Sequence, residues 1–178
     1  MAVSRVSARS ATEPAEAARI DVEALGWDPH SVGELDHRLL KVPSIKLRSA
    51  LTGPRGDAVF CVDLRIRRPN AGEYLSATEL HSMEHFLLAG LRHHLPENFL
   101  SVGVMGCRTG FYLVFLGQGG AQRICEVLED ILIEVQDATA VPYARIEQCG
   151  DYRNHSLELA QKLAREVLEA RSTWLDAV

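Results

Sequence analysis

No apolar run in this chain approaches the ~18 residues needed to span a bilayer, which excludes a transmembrane helix. Excess positive charge is also lacking: 19 Lys and Arg stand against 24 Asp and Glu, for a net charge of -5. The local basic cluster Arg65-Ile-Arg67-Arg68 is too short to make a nucleic-acid or anionic-membrane surface, so neither partner is expected. Four cysteines, Cys61, Cys107, Cys125 and Cys149, are too widely spaced for a secreted disulfide scaffold and read as free thiols. The first 12 residues contain Arg and Ser but no acid, and they lack the apolar segment of a secretory signal. A cytoplasmic protein is the expectation. No internal repeat or low-complexity tract is visible.

What is present suits one domain of ordinary size. Residues 1–30, rich in Ala, Glu, Ser and Arg, read as a flexible extension with a short helical piece around Glu13 to Leu25, and residues 31–178 as a single domain. Alternation predicts strands over 44–51 and 58–67, joined by the turn Thr52-Gly-Pro-Arg-Gly-Asp57. In the second strand Phe60, Val62, Leu64 and Ile66 share one face, while Cys61, Asp63, Arg65 and Arg67 share the other. Short strands are expected at 101–105 and 111–116, with an edge strand at 144–148. Helical periodicity covers about 78–94, 121–137 and 156–171. The expected fold is therefore α+β, a mainly antiparallel sheet with helices packed on one face and a polar second face.

The first of those helices carries His81-Ser-Met-Glu-His85. Imidazoles at i and i+4 project from one helical face and can reach one ion, and the carboxylate of Glu84 stands beside them to handle a proton. The order H-x-x-E-H marks one class of metalloenzymes. Ser76-Ala-Thr-Glu79 has the form of a capping box, and Pro96 supplies the stop.

A third ligand must come from elsewhere, and Cys149 in Gln148-Cys-Gly150 is the best placed by local character. It sits on tight backbone just before a helix start, where dipole and metal both favour a thiolate. Cys107, in a turn between Gly106 and Arg108, has a guanidinium beside it and open approach. Such a thiol can serve as nucleophile or as general acid/base.

Together these segments resemble the S-ribosylhomocysteine lyase (LuxS) family. The landmarks stand in family order: Leu35-Asp-His37, Asp63-Leu-Arg65, His81-Ser-Met-Glu-His85, Met105-Gly-Cys-Arg-Thr-Gly-Phe-Tyr112, Gln148-Cys-Gly150 and His155-Ser-Leu157. The resemblance implies a homodimer with two sites at the subunit interface. Each site would hold one divalent metal, Fe(2+) in the family, with Zn(2+) or Co(2+) as substitutes. It implies His81, His85 and Cys149 as metal ligands, Glu84 and Cys107 as the acid/base pair, Arg65 at the sugar, and His37 reaching in from the partner subunit. The implied reaction moves a ribose carbonyl by two proton-transfer isomerisations. It then eliminates homocysteine, leaving dihydroxypentanedione, the autoinducer precursor of quorum sensing.

Two positions depart from the family pattern. Ser101 stands six residues before Cys107, where the family carries an aspartate that meets the substrate's amino group, and Val32 replaces a serine five residues before His37, with Ser31 adjacent. Loss of a carboxylate that pairs with an ammonium weakens binding, so a changed leaving group is the expectation. Two other readings compete. One is an inverzincin-type metallohydrolase with a glutamate third ligand; the other is a non-catalytic metal-bound dimer.

Overall fold

The structure is a computed structural model that describes residues 20–178. Four strands, β1 (Ser44–Thr52), β2 (Ala58–Arg65), β3 (Phe99–Val104) and β4 (Gly110–Leu116), form one sheet of order β1-β2-β4-β3. All three pairings are antiparallel. The helices α1 (Ala77–His94), α2 (Ala121–Asp137) and α3 (Leu157–Glu169) complete the α+β architecture.

Strand alternation decides which face the helices cover. Phe60, Val62 and Leu64 of β2 and Phe111, Leu113 and Phe115 of β4 are buried in one core with Met83, Leu87 and Leu91 of α1 and the apolar stripes of α2 and α3. The opposite face carries Lys46, Asp63 and Tyr112 in register, then Ser49, Cys61, Val114 and Ser101. Irregularities in pairing between Leu47 and Ser49 and between Phe99 and Ser101 put an extra residue into each outer strand.

Helix α1 begins where its capping box predicts. Ser76 Oγ accepts from Glu79 N at 3.2 Å, and Glu79 Oε2 accepts from Ser76 N at 2.8 Å. Pro96 follows its C-cap, Leu95. Helix α3 is capped by Ser156, whose Oγ accepts from Leu159 N at 3.2 Å.

Two expectations need correction and one falls partly outside view. No edge strand forms at 144–148: Arg145 N donates to Tyr143 O, and Gln148 N and Cys149 N both donate to Arg145 O, so the backbone is spent on local turns. β2 ends at Arg65, because Ile66 N and Arg67 N both turn to the single carbonyl of Thr109. Of the helical piece expected at Glu13 to Leu25, residues 13–19 lie outside the described residues, and the rest is a series of turns. Residues 20–27 are packed: Trp27 is buried and its Nε1 donates to Gly119 O at 2.6 Å, while Ile20, Val22 and Leu25 lie on the core.

A candidate metal centre and a thiol cavity

The periodicity of α1 sets His81 and His85 on one side, one turn apart, and the loop between α2 and α3 brings Cys149 and His155 against them. One potential ligand atom from each of these four side chains falls within 4.8 Å of all the others. Cys149 Sγ is 3.3 Å from His81 Nε2 and 3.4 Å from His155 Nε2. The three imidazole centroids are separated by 4.0 to 4.8 Å.

The tautomers of two rings follow from their partners. His81 Nδ1 lies 3.1 Å from Asn154 O and His85 Nδ1 lies 2.7 Å from Pro142 O. A carbonyl only accepts, so Nδ1 carries the proton in both, and each Nε2 turns a lone pair to the cluster. His155 differs: its Nδ1 is buried with no hydrogen-bond partner. Burial, then the neighbouring His81 and His85, push its pKa down to about 4, so the ring is neutral at neutral pH. Three imidazoles and a cysteine sulfur are a borderline-soft donor set, suited to zinc, ferrous iron or cobalt and not to a hard cation. The residues present fit the metal that the sequence suggests.

Glu84 is half-buried on α1, three residues after His81 and so on the same side of the helix. Sequence reasoning gave His81, His85 and Cys149 as ligands and did not count His155 among them. The signal available was its spacing, six residues after a candidate cysteine ligand and just before the α3 cap. No glutamate belongs to the four-residue cluster, which leaves the hydrolase reading without its third ligand.

Cys107 occupies a second location. It is exposed in the turn Met105–Arg108, closed by Arg108 N donating to Met105 O at 2.8 Å. Arg108 takes a left-handed φ of 58°. The turn continues directly into Gly110, where an added Cβ would fall on the carbonyl oxygen of Leu64, so only glycine lets β4 approach β2 this closely. Behind the thiol, Arg65 is buried and forms a two-point ion pair with Asp63, Nη2 to Oδ2 at 2.6 Å and Nε to Oδ1 at 3.2 Å. Burial alone would lower the Arg65 pKa; the hydrogen bonds and charge of Asp63 outweigh it and raise it.

A cavity of about 190 Å³ opens here, with His37, Lys46, Arg48, Arg65, Cys107 and Tyr112 in its wall. Lys46 is held below its ordinary pKa by burial, offset in part by Asp63, and its ammonium donates to Gly33 O. Three predicted residues, His37, Arg65 and Cys107, therefore share one wall within a single chain. Ser101 is not in that wall: it is exposed on β3. Ser31 does not stand in for the serine absent at Val32, because it is buried and its hydroxyl donates to Asp28 O at 2.9 Å. None of the four cluster residues lines the Cys107 cavity.

Comparison with known proteins places these features in a family context. The family model for S-ribosylhomocysteinase (LuxS) matches residues 31–178. The chain is 40% identical over 142 residues to the S-ribosylhomocysteine lyase of Halobacillus halophilus, covering 80% of this chain and 92% of that one. It is 39% identical over 140 residues to the S-ribosylhomocysteine lyase of Dichelobacter nodosus, covering 79% and 90%. The S-ribosylhomocysteine lyase of Oceanobacillus iheyensis is 37% identical over 140 residues, with 79% and 90% coverage.

Proposed function

The chain belongs to the S-ribosylhomocysteinase (LuxS) family, and on that premise we propose that it is a carbon-sulfur lyase that cleaves S-ribosylhomocysteine to homocysteine and dihydroxypentanedione. The observation that carries the reading is the pairing of a His/His/Cys/His cluster with a thiol held over a buried guanidinium. His81, His85 and Cys149 hold the metal, with His155 beside them. When bound, the ion supplies Lewis acidity at the migrating carbonyl. Glu84 and Cys107 move protons between adjacent sugar carbons, each taking a proton from one carbon and returning it to the next. Arg65, rigid in its ion pair with Asp63, orients a sugar oxygen and sets its charge beside Cys107. Iron as native metal, a cytoplasmic location and a product used in autoinducer synthesis belong to the same reading. Free thiols at all four cysteines suit a reducing compartment.

The active unit is a homodimer. Its support is the exposed end of the sheet face opposite the helices, where Leu51 (69% exposed) and Leu116 (37%) stand open while Lys46, Asp63 and Arg65 at the other end are buried. The metal cluster and the Cys107 cavity share no residue, and His37 shares a wall with Cys107 of its own chain. A partner that delivers His37 to a metal thus delivers Cys107 and Arg65 with it. Subunit mixing tests this directly: Cys107→Ala and Cys149→Ala homodimers are each inactive, and random re-pairing recovers about a quarter of wild-type activity. No recovery from folded mixed dimers overturns the shared site.

Thiol release from S-ribosylhomocysteine by the iron-loaded protein tests the activity itself. Absence of thiol at full metal occupancy overturns the lyase reading. Ser101 and Val32 bear on the amino-acid end of the substrate, and Ser101 would contact it. A sugar thioether without the ammonium, turned over faster than S-ribosylhomocysteine, marks a changed leaving group. The reverse order marks an unchanged one.

A further inference from the structure

Beneath Cys107 lies a buried hydroxyl that the reaction scheme above does not use. Thr109 is fully buried, and its Oγ1 is 2.6 Å from Arg65 Nη1, 3.0 Å from Cys107 Sγ and 3.7 Å from Met105 Sδ. A guanidinium has no acceptor, so the oxygen of Thr109 accepts from Arg65. That fixes where the hydroxyl proton can go. Of the two sulfurs within reach, Cys107 is nearer by 0.7 Å and is the one that becomes negative when deprotonated. The backbone around Thr109 allows little adjustment. Its carbonyl accepts from both Ile66 N, at 2.8 Å, and Arg67 N, at 2.9 Å, and Gly110 beside it is wedged against Leu64.

We propose that Thr109 is a positioning residue of the lyase reaction: turned by Arg65, its hydroxyl donates to Cys107 Sγ and holds the sulfur at the cavity mouth. The chain of contacts is Asp63 to Arg65 to Thr109 to Cys107, each member fixed by the one before it. Arg65 Nη1 itself stands 3.8 Å from Sγ, so the threonine supplies the short contact and the arginine the more distant charge. A threonine suits this task because its methyl group fills the buried site and restricts rotation about χ1.

The proposal rests on Cys107 acting as an acid/base group, and its test separates the two claims. Thr109→Val is nearly isosteric and lacks the donor; Thr109→Ser keeps it. The expected result is a kcat for thiol release lowered about tenfold in Thr109→Val with KM within about twofold, and recovery to within about threefold in Thr109→Ser. Alkylation of Cys107 by iodoacetamide at pH 7, located by peptide mass spectrometry, is expected to slow about threefold in Thr109→Val. A sulfur no longer held in place by the hydroxyl is presented to the reagent less often. If Thr109→Val does not fold, Thr109→Ala against Thr109→Ser makes the same comparison. Wild-type alkylation and kcat in a folded variant without the hydroxyl overturn the proposal, as does a folded Thr109→Ser as impaired as Thr109→Val. Failure of wild-type protein to release thiol would count against the lyase reading alone, since the alkylation comparison needs no substrate.

Discussion

Ser82 Oγ accepts a hydrogen bond of 2.9 Å from Ser156 N, fastening the helix that carries His81 and His85 to the loop that carries Cys149 and His155. Ser82 is fully buried, so Ser82→Ala leaves the Ser156 N–H without its partner. The expected loss is about 1–3 kcal/mol, read as a lower urea midpoint. Zinc affinity, measured by chelator competition, should fall in parallel because the two halves of the cluster are no longer tied. An unchanged midpoint and affinity would show that the tie is idle.

The ligand assignment has its own signature. Cys149→Ala should lose bound metal during purification, whereas His155→Ala should retain it with affinity weakened about tenfold, the order of an outer-partner change. The asymmetry follows from His81 and His85, whose lone pairs are set by carbonyl partners, and from His155, whose Nδ1 has none. Stoichiometric metal in Cys149→Ala would remove the thiolate from the ligand set.

Asp63→Asn tests the buried ion pair. With side chains 3% and 1% exposed, Arg65 and Asp63 are both inside the fold, and removing one charge strands the other. Destabilisation of about 3–5 kcal/mol is expected by denaturant titration. A change below about 1 kcal/mol would mean that water reaches Arg65 freely.

Alkaline pH probes Cys125. Burial in α2 pushes its thiol up to about 11, from an ordinary value near 9. Between those values the unfolded chain has lost the proton and the folded chain keeps it, so its contribution to stability, complete below about pH 9, is lost as pH rises through about 11. The contribution is on the order of 2 kcal/mol. Urea midpoints of the wild type should therefore fall more steeply between pH 9 and 11 than those of Cys125→Ala. Parallel slopes would place Cys125 in contact with solvent.

Long periodic patterns made most of this fold legible. The stripe from Ala121 to Asp137 gave α2 its observed limits, and the alternation through Phe60, Val62 and Leu64 identified the covered face of the sheet. The sequence at 144–148 misled because Ala144 and Ile146 alternate as in a strand, yet Arg145 draws the following amides into turns and leaves Ile146 exposed. Periodicity has no means of registering such local capture. The site was legible where ligands share a helix, as with His81 and His85. Nothing local in the sequence places His155 against the cluster, because the 138–156 loop brings it there, and nothing announces that Thr109 sits under Cys107 with its oxygen on Arg65.

The metal cluster also has a meaning for the order in which the chain is made. His81 and Cys149 are 68 residues apart, with β3, β4 and α2 between them, so an ion held by both would staple a long loop as a disulfide does. During synthesis the helical pair emerges well before its thiolate partner. Capture can be completed only after the sheet and α2 have left the ribosome. Free metal would then act as a ligand of the finished fold alone, raising its apparent stability by about 1.4 kcal/mol for every tenfold rise in concentration above the dissociation constant. A cell short of metal would carry a protein that is less durable as well as less active.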